Sequence, residues 1–123
     1  MHNPDADELI LQTKHLRIDA EGAIKLFDEG ALAIDVRSDQ RREEFGLVPG
    51  AVPLDRTKVV DYVQSVRAAE GQQRKVVLFC MSERGSAGAL AALEAAGEGD
   101  VHDVAGGFRA LSAAGIKTVS VAS

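Results

Sequence analysis

The stretch from Lys75 to Leu93 constrains this chain more than any other. Val76, Val77, Leu78 and Phe79 run straight into Cys80, a serine- and glycine-containing turn, and an alanine- and leucine-rich segment of helical character. A short unbroken apolar run belongs in a strand buried on both faces. A helix that follows it directly makes half of a βα unit, and such units build parallel sheets covered by helices on both sides.

The same alternation recurs along the chain. Leu16 to Ile18 reads as a brief strand, and Asp19 as the cap of a helix that Gly30 stops. Ala31 to Val36 is a second compact strand, followed by a helical turn over Arg41 to Phe45. Pro49-Gly50 marks a bend, and Ala51 to Leu54 a short strand limited by its proline. Asp55 is placed to cap a helix whose apolar positions are Val59, Val60, Val63 and Val66. Ser86 to Ala96 is helical, Val101 to Val104 is a last strand, and Gly106-Gly107 turns into a helix from Phe108 to about Ala114. The pattern predicts an α/β domain with three layers and a mostly parallel sheet of about five strands. Residues 1–14 read as an N-terminal extension and 15–123 as the domain.

Cys80 is the only cysteine among 123 residues. It falls at the carboxyl end of the strand, where open α/β sheets bind their ligands. Main-chain N–H groups of the turn and the positive end of the helix dipole favour a thiolate at such a position. The plain alternative is a strand cysteine packed as a small hydrophobe. One thiol rules out an internal disulfide and suits a reducing compartment, so the cytoplasm is the expected location. A net charge of −5 supplies no basic stripe for nucleic acid, and the acidic amino terminus is neither a signal peptide nor a membrane span. His2, His15 and His102 have no ligand spacing, so no metal is expected. His102 is expected half-buried on the last strand, and nothing points to a cofactor.

Four stretches together resemble a single-domain rhodanese, the sulfurtransferase fold, over about His15 to Val119. Ile34-Asp35-Val36-Arg37 is similar to the family's strand end. Glu43-Glu44-Phe45 with Val48-Pro49-Gly50-Ala51 is similar to its next segment. Val76 to Cys80 with Ser86-Ala87 matches the persulfide-bearing strand and loop, and Asp103 to Phe108 with Gly115 its ending, although Leu111 stands where tryptophan is common. The resemblance implies that Cys80 takes a sulfane sulfur from a small donor such as thiosulfate or 3-mercaptopyruvate, or from another persulfide. It then passes the sulfur to a thiol, cyanide or protein acceptor. Covalent catalysis of this kind needs one nucleophile and a charge-stabilising cradle.

The active loop departs from the family's Cys-x-x-Gly-x-Arg-Ser. Here it reads Cys80-Met81-Ser82-Glu83-Arg84-Gly85-Ser86, with Glu83 at the usual glycine and Gly85 at the usual arginine. A carboxylate about 5–6 Å from the sulfur, at an effective dielectric of about 20, opposes a thiolate by about 3 kcal/mol. Weak thiosulfate activity is therefore expected. Arg84 is read as a solvated charge or an anion contact, and Arg56 as a second anion contact. Glu83 is read as solvent-facing, Ser86 as the cap of the following helix, and Ser82 as a hydrogen-bond donor to the sulfur. Asp35 and Arg37 read as an internal ion pair supporting the site. Two other classes compete. One is a rhodanese-like interaction module without turnover. The other is a cysteine-dependent phosphatase or arsenate reductase, which needs arginine six positions after the cysteine, where this chain has Ser86.

Overall fold

The computed structural model describes residues 3–121. In chain order the elements are α1 (Ala6–Gln12), β1 (Arg17–Ile18), α2 (Ala20–Asp28), β2 (Leu32–Asp35), α3 (Asp39–Phe45), β3 (Val52–Pro53), α4 (Val59–Glu70), β4 (Val76–Phe79), α5 (Glu83–Ala95), β5 (Val101–Val104) and α6 (Gly107–Ala113). Five strands make one sheet in the order β1-β5-β4-β2-β3, and every neighbouring pair is parallel. Proline is tolerated in β3 because that strand lies at the sheet edge.

The central strand explains the layers. Val76 and Leu78 face one side with Ile34, Val59, Val63, Leu90 and Leu93, beneath α4 and α5. Val77 and Phe79 face the other with Ala23, Val104, Phe108 and Leu111, beneath α2 and α6. Alternation with a period of two thus lets one apolar run serve two cores. Aromatics make up only 4% of the chain, and the cores are accordingly built mainly of aliphatic side chains.

Several local expectations hold and others need correction. The Asp19 carboxylate accepts the Gly22 N–H at 2.7 Å and caps α2. His102 is half-buried on β5, beside the Leu16 carbonyl. Asp55 caps a 3-10 turn over Arg56–Lys58 that runs into α4, so it does not cap α4 itself. The sequence reading places the start of α5 at Ser86, but the helix starts at Glu83 with Ser82 as its cap. Ser86 is instead fully buried, and its hydroxyl donates to Asp103 at 2.7 Å. A serine inside the first turn with a buried acceptor one strand away has no reason to act as a cap.

The first helix was not anticipated. Asp5 accepts the Glu8 N–H at 2.9 Å and opens α1, which packs on α5 with Leu9 against Gly88. Its end is tied down by a buried polar network. Arg17 donates to the Ile10 carbonyl and the Thr13 hydroxyl, and pairs with fully buried Asp103 at 2.8 Å. His2 lies outside the described residues.

Leu93 is fully buried between α5 and the sheet. Leu93→Ala is expected to cost about 2–5 kcal/mol, read as a lower midpoint in urea denaturation. A loss under about 1 kcal/mol would mean this layer is not the core.

Candidate active site

Three neighbouring strands end at one cavity. The residues after β2, β3 and β4 line a recess of about 810 Å³, with Cys80 and Met81 on one wall, Ser38 and Arg41 on another, and Leu54 to Arg56 on a third. Cys80 is half-buried there, and its thiol faces the Val36 carbonyl with Sγ to O of 3.8 Å. The sulfur rests against the first turn of α5: a Cβ built on Gly85 would lie 2.3 Å from Sγ and 2.7 Å from Cys80 Cβ. A residue larger than glycine at position 85 therefore collides with the Cys80 thiol where it now sits.

The wall behind Cys80 is made by the turn between β5 and α6. Phe108 N–H donates to the Cys80 carbonyl at 2.7 Å, and Gly106 N–H donates to Glu83 Oε2 at 2.5 Å. Gly107, with φ of 58°, packs so closely that an added Cβ would lie 2.6 Å from the Met81 and Ser82 backbone. The double glycine is a docking surface for the cysteine segment, as well as a turn.

Each residue singled out in the sequence now has a place. Arg56 borders the cavity, exposed and without a hydrogen bond or ion pair among the described residues. Arg84 does not turn inward. It lies on the outer side of the first turn and pairs with Asp7 of α1 at 2.6 Å. Glu83 is not solvent-facing. Starting the helix three residues early aims its side chain at the β5–α6 turn, where it is half-buried and accepts the Gly106 N–H. The Ser82 hydroxyl accepts the Arg84 N–H as the helix cap, and no bond to the sulfur accompanies it.

Asp35 and Arg37 form the expected internal pair. Arg37 is fully buried and meets both carboxylate oxygens of Asp35 through Nε at 3.0 Å and a terminal nitrogen at 2.7 Å. Its guanidinium carbon lies 4.2 Å from the centroid of the Phe108 ring, whose face meets part of the remaining charge. Sequence reading missed Arg42, which donates to the carbonyls of Asp35 and Arg37 and pairs with Asp39 at 3.0 Å. Its signal was weak, since a second arginine in a short charged helix ordinarily faces water. Asp55 was also missed as a wall of the cavity. Thr57 donates its hydroxyl at 2.5 Å and its amide at 2.8 Å to Asp55, and holds that carboxyl below its ordinary value of 3.8. Among the described residues no three His, Cys, Asp or Glu side chains are grouped to hold a metal.

Residues 19–114 match the family model described as a rhodanese-like domain. The chain belongs to that family. Two thiosulfate sulfurtransferases called GlpE, from Pseudomonas syringae pv. syringae and Pseudomonas savastanoi pv. phaseolicola, are each 32% identical over 96 residues, covering 78% of this chain and 86% of theirs. A Rhodopseudomonas palustris protein of unknown function, called a possible tyrosine phosphatase, superposes with a TM-score of 0.76 over 97% of both chains. At 20% identity that likeness speaks for the fold alone. This rhodanese-like domain is thus similar to thiosulfate sulfurtransferases over 96 residues. No helix of the described residues is long and apolar enough to cross a membrane.

Two tests address this geometry. Gly85→Ala should cost about 1–3 kcal/mol by overpacking, and clearly less when made in Cys80→Gly, which lacks both the sulfur and the Cβ that an added methyl would meet. Equal costs in both backgrounds, by urea denaturation of the four proteins, would show that the two residues do not touch. Because its folded carboxyl is depressed, the contribution of Asp55 to stability is present above pH 3.8 and is lost as pH falls through the lower folded midpoint. Carbon-detected NMR titration should place that midpoint below 3.8, and Thr57→Val should raise it. No movement in Thr57→Val would assign the cause elsewhere.

Proposed function

We propose that this chain is a sulfurtransferase or sulfur carrier that forms a persulfide on Cys80. The observation that carries this is the position of the sulfur: half-buried on a wall of the cavity, at a strand's carboxyl end, against the first turn of α5. With thiosulfate as donor, the Cys80 thiolate attacks the sulfane sulfur, the donor's S–S bond breaks, and sulfite leaves with its electron pair. Attack by cyanide or a thiolate on the outer sulfur then releases the product and restores the thiolate. A thiol that cycles in this way needs a reducing compartment, and the cytoplasm is the location we propose.

Thiosulfate is a poor fit in this cavity. The first turn of α5 already carries the Glu83 carboxylate, which offsets part of the positive charge a helix start offers an anion. Arg84 is engaged with Asp7, and Arg41 with Glu44. Arg56 is the cation left for the donor, with Asp39 and Asp55 on the same walls. We therefore assign slow turnover with thiosulfate, and a larger persulfide as the preferred donor. Phosphatase chemistry has no support, because Ser86 at the clamp position is buried and bonded to Asp103.

Donor treatment followed by intact-mass measurement should show one added sulfur atom, absent in Cys80→Ser. Arg56→Ala should lower kcat/KM for thiosulfate by about tenfold, the loss of about 1.4 kcal/mol of transition-state binding. A protein that takes up no sulfur from thiosulfate, 3-mercaptopyruvate or a persulfide would be a binding module instead.

A further inference from the structure

The chain has nine arginines, and among the described residues all but two are tied to a carboxylate. Arg56 and Arg109 are the exceptions, without a hydrogen bond or ion pair within bonding distance among the described residues, although the Arg56 charge helps to lower the neighbouring Asp55 carboxyl. Shortage of counter-ions is not the reason, since Asp and Glu number 19 against 14 Lys and Arg. The two lie far apart in sequence, yet each borders a cavity walled by Met81, the residue after Cys80. Arg56 borders the large cavity that holds the sulfur. Arg109 borders a smaller recess of about 280 Å³ with Phe45, Met81, Phe108 and Ser112.

The smaller recess is mainly apolar, with an aromatic pair on its lining. The rings of Phe45 and Phe108 pack with centroids 6.0 Å apart, and buried Arg37 supports Phe108 from within. Phe45 is nevertheless 41% exposed, in a chain with only four phenylalanines. A small anionic donor reaching Cys80 through the large cavity would use neither this recess nor Arg109. An extended peptide advances about 3.3 Å per residue, so a few residues can cross Met81 and contact both sides.

We propose that the face running from Arg56 across Met81 to Arg109 docks an acidic segment of a partner protein. An apolar side chain enters the Phe45–Met81–Phe108 recess, carboxylates on either side meet Arg56 and Arg109, and a cysteine persulfide on the segment is brought to Cys80. This rests on the sulfurtransferase reading above and names its donor class. In the transfer the Cys80 thiolate attacks the outer sulfur of the partner's persulfide. A new S–S bond forms on Cys80, the partner's S–S bond breaks, and the partner leaves as a thiolate. The transferred sulfur keeps its proton, and no outside oxidant is needed. The overall charge of −5 repels an acidic partner at long range, but beyond about 8 Å that repulsion is screened at physiological salt and the local arginines decide.

The test uses a short synthetic peptide with a leucine and two aspartates around one persulfidated cysteine, and a second peptide with lysines for the aspartates. The acidic peptide should load sulfur on Cys80 at least about tenfold faster by mass spectrometry, a preference that weakens as salt rises and collapses in Arg109→Glu. Binding is read separately, by fluorescence anisotropy of the acidic peptide with serine for cysteine on Cys80→Ser protein. There Arg109→Glu and Phe45→Ala should each weaken the complex, with circular dichroism confirming that both variants fold. Equal loading by the two peptides, or anisotropy indifferent to Arg109→Glu, would overturn the docking face while leaving the chemistry of Cys80 intact. Charge-selective binding with no sulfur uptake from either peptide or from thiosulfate would uphold the face and overturn sulfur transfer.

Discussion

A single backbone hydrogen bond, Phe108 N–H to the Cys80 carbonyl at 2.7 Å, joins the two halves of this site. It fastens the start of α6 to the end of β4 and brings Gly107 against the Met81 and Ser82 backbone. With the peptide after Cys80 held there, α5 begins within three residues and its first turn lies on the sulfur. The side chains of Glu83 and Arg84 then diverge, one toward Gly106 and the other toward Asp7. The surroundings of the Cys80 thiol thus follow from where α6 docks.

Two buried charge networks flank this arrangement. Arg37 and Arg42 gather around Asp35 and hold the end of β2, while Arg17, Thr13 and Ser86 gather around Asp103 and hold α1, β5 and the first turn of α5 together. Buried ion pairs add little net stability over apolar packing, but removing one partner leaves an uncompensated charge. Their effect here is positional. Ser86, committed to Asp103, is unavailable to a substrate, and the Asp35–Arg37 pair sets the floor beneath Phe108.

The architecture was readable because it rests on local signals. Val76 to Phe79, Leu32 to Asp35 and the cap at Asp19 carry their own periodicity and turn chemistry, and the strands alternate with helices as a parallel sheet requires. The active turn was less readable. Ser86 was read as the cap and Ser82 as a donor to the sulfur, whereas Ser82 is the cap and Ser86 is committed to its buried partner on β5. Glu83 and Arg84 are adjacent charges of opposite sign, and nothing local says which is half-buried. The helix α1 was overlooked because its seven residues hold one short apolar run, although Asp5 and Glu8 have the spacing of a capping pair.

The sequence by itself determined that strands and helices alternate, that the sheet is mostly parallel, and that one thiol stands at a strand's carboxyl end. Those properties depend on residue type and spacing within a few positions. Tertiary structure alone decided which charges remain unpaired, which glycine touches the sulfur, and that Arg56 and Arg109 border cavities meeting at Met81. Such facts depend on contacts between segments dozens of residues apart, and side-chain pairing across that distance is settled only once the backbone has closed.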